Sequence, residues 1–257
     1  MDNNSNNYAP QGSDALRSSS KIFDHYGREF DYLRLAVNEK CNLRCVYCMP
    51  EEGVRLLNKD QYLSKLEIKR IISLFTQMGI SKIRFTGGEP LLREDISELI
   101  RYAKNECKID QVHLTTNGIL LNKYLDQLSK AGLSGINISL DSLKPERFKK
   151  ITRRDKLQQV LDNILLAQDS TIPSLKINVV FMRDFNDDEL LDFVEFTKTN
   201  HITVRFIELM PFDAHQIWKT GKFYKSEDIV NDLKHKVKGL HPITGSNTEH
   251  YLSLIHI

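Results

Sequence analysis

Cysteine is scarce in this sequence, and most of it lies in one place. Of the 257 residues only four are cysteines, and three of them, Cys41, Cys45 and Cys48, share one short segment. A disulfide framework needs cysteine pairs that are distributed along a secreted chain. The sequence therefore argues against a disulfide-stabilised extracellular protein. It favours metal ligation in a reducing compartment, for which the cytoplasm is the expected location.

The sequence also lacks the features of membrane-spanning, secreted and nucleic-acid-binding proteins. No apolar run reaches the roughly 18 residues that a membrane helix needs, and the N-terminus lacks the apolar core of a signal peptide. Lysine and arginine total 36 against 34 acidic residues, so the formal net charge is only +2. A strongly basic surface would be the mark of a nucleic-acid-binding domain. We therefore expect neither a membrane nor nucleic acid as a partner.

The chain begins with a polar stretch and then alternates between two patterns. Residues 1–20 are rich in Asn and Ser, which predicts a disordered leader. Beyond it, short runs of alternating apolar residues predict six strands, at 33–37, 83–85, 112–114, 136–140, 177–181 and 204–206. Alternation of strands and helices predicts an α/β fold with a parallel sheet, as a doubly wound sheet or a partial (β/α)6 TIM-like barrel.

Helix-start signals follow each predicted strand. Ser64 and Glu67 have the spacing of a capping box, and Pro145 suits the first turn of a helix. We also expect side-chain N-caps at Asn122, Asp187 and Ser226. A basic run after Pro145 is expected to be a solvated helix face, with a phosphate or partner contact as the alternative, and comprises Lys149, Lys150, Arg153 and Arg154.

The three clustered cysteines follow the first predicted strand with the spacing C-x3-C-x2-C. Thiolates are the usual ligands of a [4Fe–4S] cube, so three of them leave one iron open to a small chelating molecule. Zinc is the alternative, although it prefers four ligands and no further Cys or His lies close by. Unliganded thiols are the other alternative. Cys107, the fourth cysteine, is expected to be a structural thiol.

Polar and basic residues lie at or near the ends of the other strands. The second strand ends in a Gly-Gly-Glu-Pro turn, where glycine permits close approach of a ligand to the backbone. Arg34, Arg84 and Lys176 lie on three different strands, out of phase with the apolar residues. Converging cations suit a polyphosphate. The alternative is a set of internal salt bridges to carboxylates, for which the candidates are Glu89, Asp141 and Glu208.

The cysteine spacing with its aromatic residue, followed by Gly-Gly-Glu-Pro, resembles the radical SAM superfamily, whose open iron chelates S-adenosylmethionine (SAM). Over about residues 24–251, the motifs LTTNG, INISLDSL, KINVV and RFIELMP resemble the GTP 3′,8-cyclase family of molybdenum cofactor biosynthesis. This resemblance implies the partial barrel of radical SAM enzymes over residues 21–245. It also implies a lyase that converts GTP into 3′,8-cyclo-7,8-dihydro-GTP through a 5′-deoxyadenosyl radical, which removes the ribose 3′ hydrogen.

The resemblance also implies roles for individual residues. The [4Fe–4S] cluster would be bound by Cys41, Cys45 and Cys48. SAM would be contacted by Tyr47, Gly88, Glu89, Ser139 and Met210. GTP would be contacted by Arg34, Arg84, Thr115 and Lys176. No protein side chain is expected to be catalytic in itself, because SAM carries the radical. Expected partners are a flavodoxin or ferredoxin as reductant, a downstream pterin synthase and a second copy of the chain.

One departure from the family concerns its second [4Fe–4S] cluster, which a C-terminal cysteine triplet holds against guanine. This sequence has no cysteine after Cys107, and residues 246–257 would only begin that region. We therefore expect a truncated chain with little or no turnover. Two alternatives stay open: another radical SAM enzyme, acting on a peptide or haem, and an inactive fragment that binds SAM or GTP.

Overall fold

The computed structural model describes residues 21–58, 61–210, 222–243 and 251–254. The predicted leader, residues 1–20, lies outside the described residues. The fold begins with a small antiparallel pair, β1 (Ile22–Phe23) and β2 (Glu29–Phe30). A second antiparallel pair lies near the end of the chain, formed by β9 (Leu240–Ile243) and β10 (Tyr251–Leu254).

A parallel sheet of six strands forms the centre of the molecule. Its strands are β3 (Tyr32–Ala36), β4 (Lys82–Thr86), β5 (Gln111–Thr116), β6 (Gly135–Ser139), β7 (Leu175–Phe181) and β8 (Thr203–Glu208). Their order in the sheet is their order in the sequence. In a doubly wound sheet the order of the strands reverses at a switch point. In a barrel each strand lies beside the strand that precedes it in the sequence. The α/β prediction is confirmed, and the sequential order is that of the partial barrel.

Helices connect the strands. They are α1 (Lys65–Gln77), α2 (Ile96–Arg101), α3 (Leu121–Lys130), α4 (Pro145–Thr152), α5 (Leu157–Gln168), α6 (Leu190–Thr199) and α7 (Ser226–Lys236). A π-helical turn, Tyr102–Glu106, extends α2, and a 3-10 turn, Asp187–Glu189, precedes α6. Among the described residues, none of these helices is both long and apolar enough to cross a bilayer.

The helix-start predictions had mixed outcomes. The capping box of α1 is confirmed, because the Ser64 hydroxyl accepts from the Glu67 amide and the Glu67 carboxylate accepts from the Ser64 amide. Pro145 does open α4. The N-caps predicted at Asn122, Asp187 and Ser226 are wrong, because none of these side chains caps its helix. At the start of α7 a tertiary contact takes this place, because the Ser226 amide donates to the Glu208 carboxylate.

The two faces of the sheet differ in chemistry. One face carries apolar side chains such as Ile83, Phe85 and Leu114, which are completely buried against the helices. The other face carries the alternate residues of each strand, and many of these are polar or charged. In the strand register Arg34 lies beside Arg84, which lies beside His113. A polar face inside a barrel is suited to a ligand rather than to a packed core.

Candidate active site

The segment with the three cysteines, residues 41–49, is called the cluster loop below. It leaves the carboxyl end of β3, the end of a barrel at which active sites collect. Cys41 and Cys45 are partly buried and Cys48 is exposed. The loop bends around Cys45, whose carbonyl accepts hydrogen bonds from the amides of Cys48 and Met49, each at 2.9 Å.

The thiols of the cluster loop influence one another electrostatically. Burial raises the pKa of Cys45 well above its usual value, and the charges of Asp141, Cys41 and Cys48 raise it further. Burial is also the main cause of the raised pKa values of Cys41 and Cys48. Three thiolates are therefore costly here unless nearby positive charge offsets them. Iron supplies such charge, so the donor set fits an iron–sulfur cluster.

The spread of the ligands also bears on the kind of metal group. Within the described ranges, no three His, Cys, Asp or Glu side chains are grouped tightly enough for a single metal ion. A tetrahedral zinc ion needs such a grouping. In a [4Fe–4S] cube each thiolate binds a different iron, which separates the sulfur atoms. The two kinds of metal group therefore need different spacings of their ligands.

The Gly-Gly turn after β4 packs against the segment that leads into Cys41. The Gly88 amide donates to the Asn38 carbonyl at 2.8 Å, and the Glu89 amide donates to the Lys40 carbonyl at 2.6 Å. A Cβ atom on Gly88 would lie 2.2 Å from the Lys40 oxygen. In the structure it is the chain's own backbone that approaches these glycines. The turn thereby fixes the entry to the cluster loop.

Glu89 is completely buried and joins two strand ends. Its carboxylate accepts from the amides of Leu91 (3.0 Å) and Asn117 (2.7 Å) and from the Thr116 hydroxyl (2.6 Å). Burial raises the pKa of Glu89, and these donors act against that shift. Asn117 continues the network, since its side-chain amide donates to Oδ1 of the Asn42 side chain at 2.6 Å. Glu89 therefore holds the turn together, and its contact with SAM stays a prediction.

Tyr47 connects the cluster loop to the ends of β6 and β7. Its hydroxyl donates to the Asp141 carboxylate at 2.6 Å, and the other oxygen of Asp141 accepts from the Val180 amide at 2.8 Å. Burial raises the pKa of Asp141 to about 6. The Asn186 side-chain amide donates to the carbonyls of Asp141 (2.7 Å) and Val180 (2.9 Å). Tyr47 is thus oriented by a buried polar network.

The two remaining predicted SAM residues lie at strand ends as well. Ser139 is the last residue of β6, two positions before Asp141. Met210 follows β8 and is 62% exposed. The residue before it, Leu209, is buried in a small apolar group on which Tyr47 packs. The described structure therefore brings the ends of β6 and β8 to the cluster loop.

A cationic region lies on the inner face of the sheet, near Tyr32. The Tyr32 hydroxyl accepts from Nε of Arg84 at 2.6 Å and from Nε of Arg34 at 3.3 Å. Arg84 also donates to the Thr115 hydroxyl at 3.3 Å, and Lys82 Nζ lies 5.1 Å from the centre of the Tyr32 ring. Three of the four predicted GTP contacts, Arg34, Arg84 and Thr115, are thus joined directly or through Tyr32.

His113 reports on the positive potential of this inner face. Its pKa is lowered to about 4, first by burial and then by the charges of Arg84, Lys82, Lys176 and Arg205. The charge of Lys176, the fourth predicted GTP contact, therefore lowers the pKa of the same imidazole as the charge of Arg84 does.

The carboxylates named as alternative partners of these cations accept other hydrogen bonds within the described part of the chain. Glu89 and Asp141 accept the bonds described above, and Glu208 accepts from the Ser226 amide. Tyr32, Lys82, His113 and Arg205 were missed in the sequence. The available signal was their position in phase with the predicted cations, on the same strands for Tyr32 and Lys82, on β5 for His113 and on β8 for Arg205.

Comparisons with known proteins identify the superfamily and close relatives. A sequence profile described as "Radical SAM superfamily" matches residues 35–197. A GTP 3′,8-cyclase from Chlorobaculum tepidum is 47% identical over 241 residues, which cover 91% of this chain and 71% of that protein. Molybdenum cofactor biosynthesis protein 1 from Drosophila melanogaster is 45% identical over 221 residues, 86% of this chain and 39% of that protein.

The fold has solved counterparts. A structure of TYW1 with a bound lysine–pyruvate adduct matches with a TM-score of 0.61, over 85% of this chain and 77% of that one. The two sequences are only 17% identical. A crystal structure of Streptococcus suis SuiB bound to a precursor peptide matches with a TM-score of 0.62 at 18% identity, over 80% of this chain and 46% of that one. These likenesses show the shared architecture.

Proposed function

This chain belongs to the radical SAM superfamily and, within it, to the GTP 3′,8-cyclase family, and we propose that Cys41, Cys45 and Cys48 bind its [4Fe–4S] cluster. When bound, the cluster and SAM supply the 5′-deoxyadenosyl radical that starts the conversion of GTP to 3′,8-cyclo-7,8-dihydro-GTP in molybdenum cofactor biosynthesis. The chain is thus a lyase-type enzyme. The observation that carries this proposal is that three thiols lie in the loop beyond the carboxyl end of β3, in a sheet whose inner face has a positive potential.

We propose that SAM is held by residues at the carboxyl ends of β4, β6 and β8 and in the cluster loop: Gly88, Glu89, Ser139, Met210 and Tyr47. The hydrogen bond from Tyr47 to Asp141 supports this assignment, because it holds the ring in one orientation beside the strand ends. The Glu89 carboxylate accepts from the Leu91 and Asn117 amides. Glu89 therefore contributes to the SAM site mainly by holding this backbone in place.

We propose that Arg34, Arg84, Thr115 and Lys176 contact GTP, with its triphosphate on the inner face. Arg84 is held in place by Tyr32 and Thr115, so it loses little side-chain freedom when it binds an anion. Bound phosphate would offset the mutual repulsion of the neighbouring cations. Fixed cations of this kind orient a substrate before reaction, which lowers the entropic part of the barrier.

The wider assignments follow from the same family. We propose that residues 21–245 form the radical SAM core and that residues 246–257 begin the region that holds the second cluster in relatives. A flavodoxin or ferredoxin is the proposed reductant, and a pterin synthase the proposed consumer of the product. A cytoplasmic location suits three thiols that must stay reduced. A homodimer is proposed as the assembly.

Anaerobic reconstitution tests the cluster and SAM assignments together. The chain should bind about four irons, because three cysteines bind one cube. SAM should change the electron paramagnetic resonance spectrum of the reduced protein, since it would bind the iron that lacks a cysteine. A spectrum that SAM leaves unchanged would contradict the proposal. About eight irons per chain would contradict the assignment of a single cluster to this chain.

Replacing Arg84 by alanine should weaken GTP binding by about tenfold or more, because a charge-assisted contact to phosphate is lost. Equilibrium binding of GTP to the reconstituted chain measures this effect. Arg101→Ala is the matched control, since Arg101 is an exposed arginine in the last turn of α2. Equal affinities of the two variants would remove Arg84 from the GTP site.

A further inference from the structure

The carboxyl end of α4 runs along the cluster loop. The last carbonyls of a helix have no partner within the helix. Here the Ile151 carbonyl accepts from the Val46 amide at 2.9 Å, and the Thr152 carbonyl accepts from the Arg44 amide at 3.0 Å. The end of α4 therefore satisfies its own carbonyls by holding the backbone on both sides of Cys45.

Arg153 follows α4 directly and completes this contact with its side chain. One nitrogen of its guanidinium, Nη1, donates to the Arg44 carbonyl at 2.8 Å and to the Met49 carbonyl at 3.2 Å. These two carbonyls bracket the segment that contains Cys45 and Cys48. The side chain of Arg153 is only 22% exposed. A single cation thus joins the two ends of the part of the loop that carries two of the three thiols.

The backbone of Arg153 is also unusual, with a φ of 56°. Glycine commonly occupies this left-handed position after a helix because a side chain there is strained. An arginine occupies this position in spite of that strain, and its side chain contacts the cluster loop. The neighbouring Arg154 is exposed, and among the described residues its guanidinium donates to the Arg153 carbonyl alone, at 2.8 Å. The sequence interpretation of a solvated basic run is therefore wrong for Arg153.

We propose that Arg153 is a positioning residue for the iron–sulfur cluster. It holds the backbone between Arg44 and Met49 in one shape before iron arrives, and so presents the sulfur atoms of Cys45 and Cys48. The inference rests on the proposed cluster site. Residues outside the ligand set that orient the ligands commonly change metal affinity by about 10–100-fold. Arg153 acts in this way through main-chain carbonyls rather than through the sulfurs.

Arg153→Ala, Arg153→Lys and Arg154→Ala test this role. In the iron-free chain, Arg153→Ala should speed hydrogen exchange at the amides of Arg44 and Val46. After anaerobic reconstitution, its cluster should be lost to a chelator about tenfold faster than that of the wild type. Arg153→Lys should restore part of both properties, because its ammonium is also a donor. Arg154→Ala should match the wild type in both measurements.

The outcomes separate the positioning role from the cluster assignment. Wild-type exchange and cluster lifetime in Arg153→Ala would overturn the role of Arg153. If circular dichroism shows that Arg153→Ala does not fold, Arg153→Lys is compared with Arg154→Lys instead. Faster cluster loss in the former supports the proposal and equal loss overturns it. A wild-type chain that binds no iron would contradict the cluster site itself.

Discussion

Cys45→Ser should lose its cluster and cleave SAM more than about 100-fold more slowly than the wild type, exceeding the 10–100-fold effect of outer-shell substitutions. Cys45 is the middle cysteine of the cluster loop, and the loop bends around its carbonyl. Serine keeps the size of the side chain but removes the thiolate. Iron content and the rate of 5′-deoxyadenosine formation with a chemical reductant measure the result. Loss of iron and loss of cleavage should occur together.

Cys107→Ser is the matched control for this substitution. Cys107 ends the π-helical turn after α2 and packs against the apolar core, so it is partly buried. It lies on a different element from the cluster loop, so its thiol is not among the proposed ligands. Cys107→Ser should bind iron and cleave SAM as the wild type does. A cluster that survives in Cys45→Ser, or one that is lost in Cys107→Ser, would contradict the assignment of ligands.

The strands and their polar face could be predicted from the sequence because both depend on a local period. Ile83 and Phe85 alternate with Lys82, Arg84 and Thr86, and the structure places the two sets on opposite faces of β4. The alternation in the sequence is also found in the folded strand, because successive side chains point to opposite faces and a charged residue is not stable on the buried apolar face. The cysteine spacing was informative for the same reason, since it lies within one loop.

The contacts that hold the cluster loop could not be predicted in this way, because they join distant parts of the chain. Arg153 bonds to Arg44 and Met49 across more than a hundred residues, and Tyr47 bonds to Asp141 across 94. In sequence, Arg153 stands beside Arg154 and resembles it, although only one of them is turned toward the loop. The wrong N-cap at Ser226 has the same origin. A helix start that another element supports, as Glu208 supports Ser226, needs no cap of its own.

Gly88 illustrates the difference between a local sequence pattern and a contact between distant parts of the chain. In sequence, a pair of glycines indicated the close approach of a ligand. In the structure, a Cβ atom at Gly88 would lie 2.2 Å from the Lys40 carbonyl oxygen and 2.6 Å from that of Glu39. Both atoms belong to the backbone, so neither can move without displacing the entry to Cys41. The two interpretations predict different results for the same variant.

Gly88→Ala should lower the free energy of unfolding of the iron-free chain by ~3 kcal/mol, the upper end of the range for overpacking. Gly239→Ala is the control: its φ of +77° is strained for alanine, but nothing lies within 4 Å of the added Cβ atom. That variant should lose only ~1 kcal/mol. Urea unfolding followed by circular dichroism measures both. If Gly88→Ala proved as stable as the wild type and failed only to bind SAM, the glycine would serve the ligand and not the backbone.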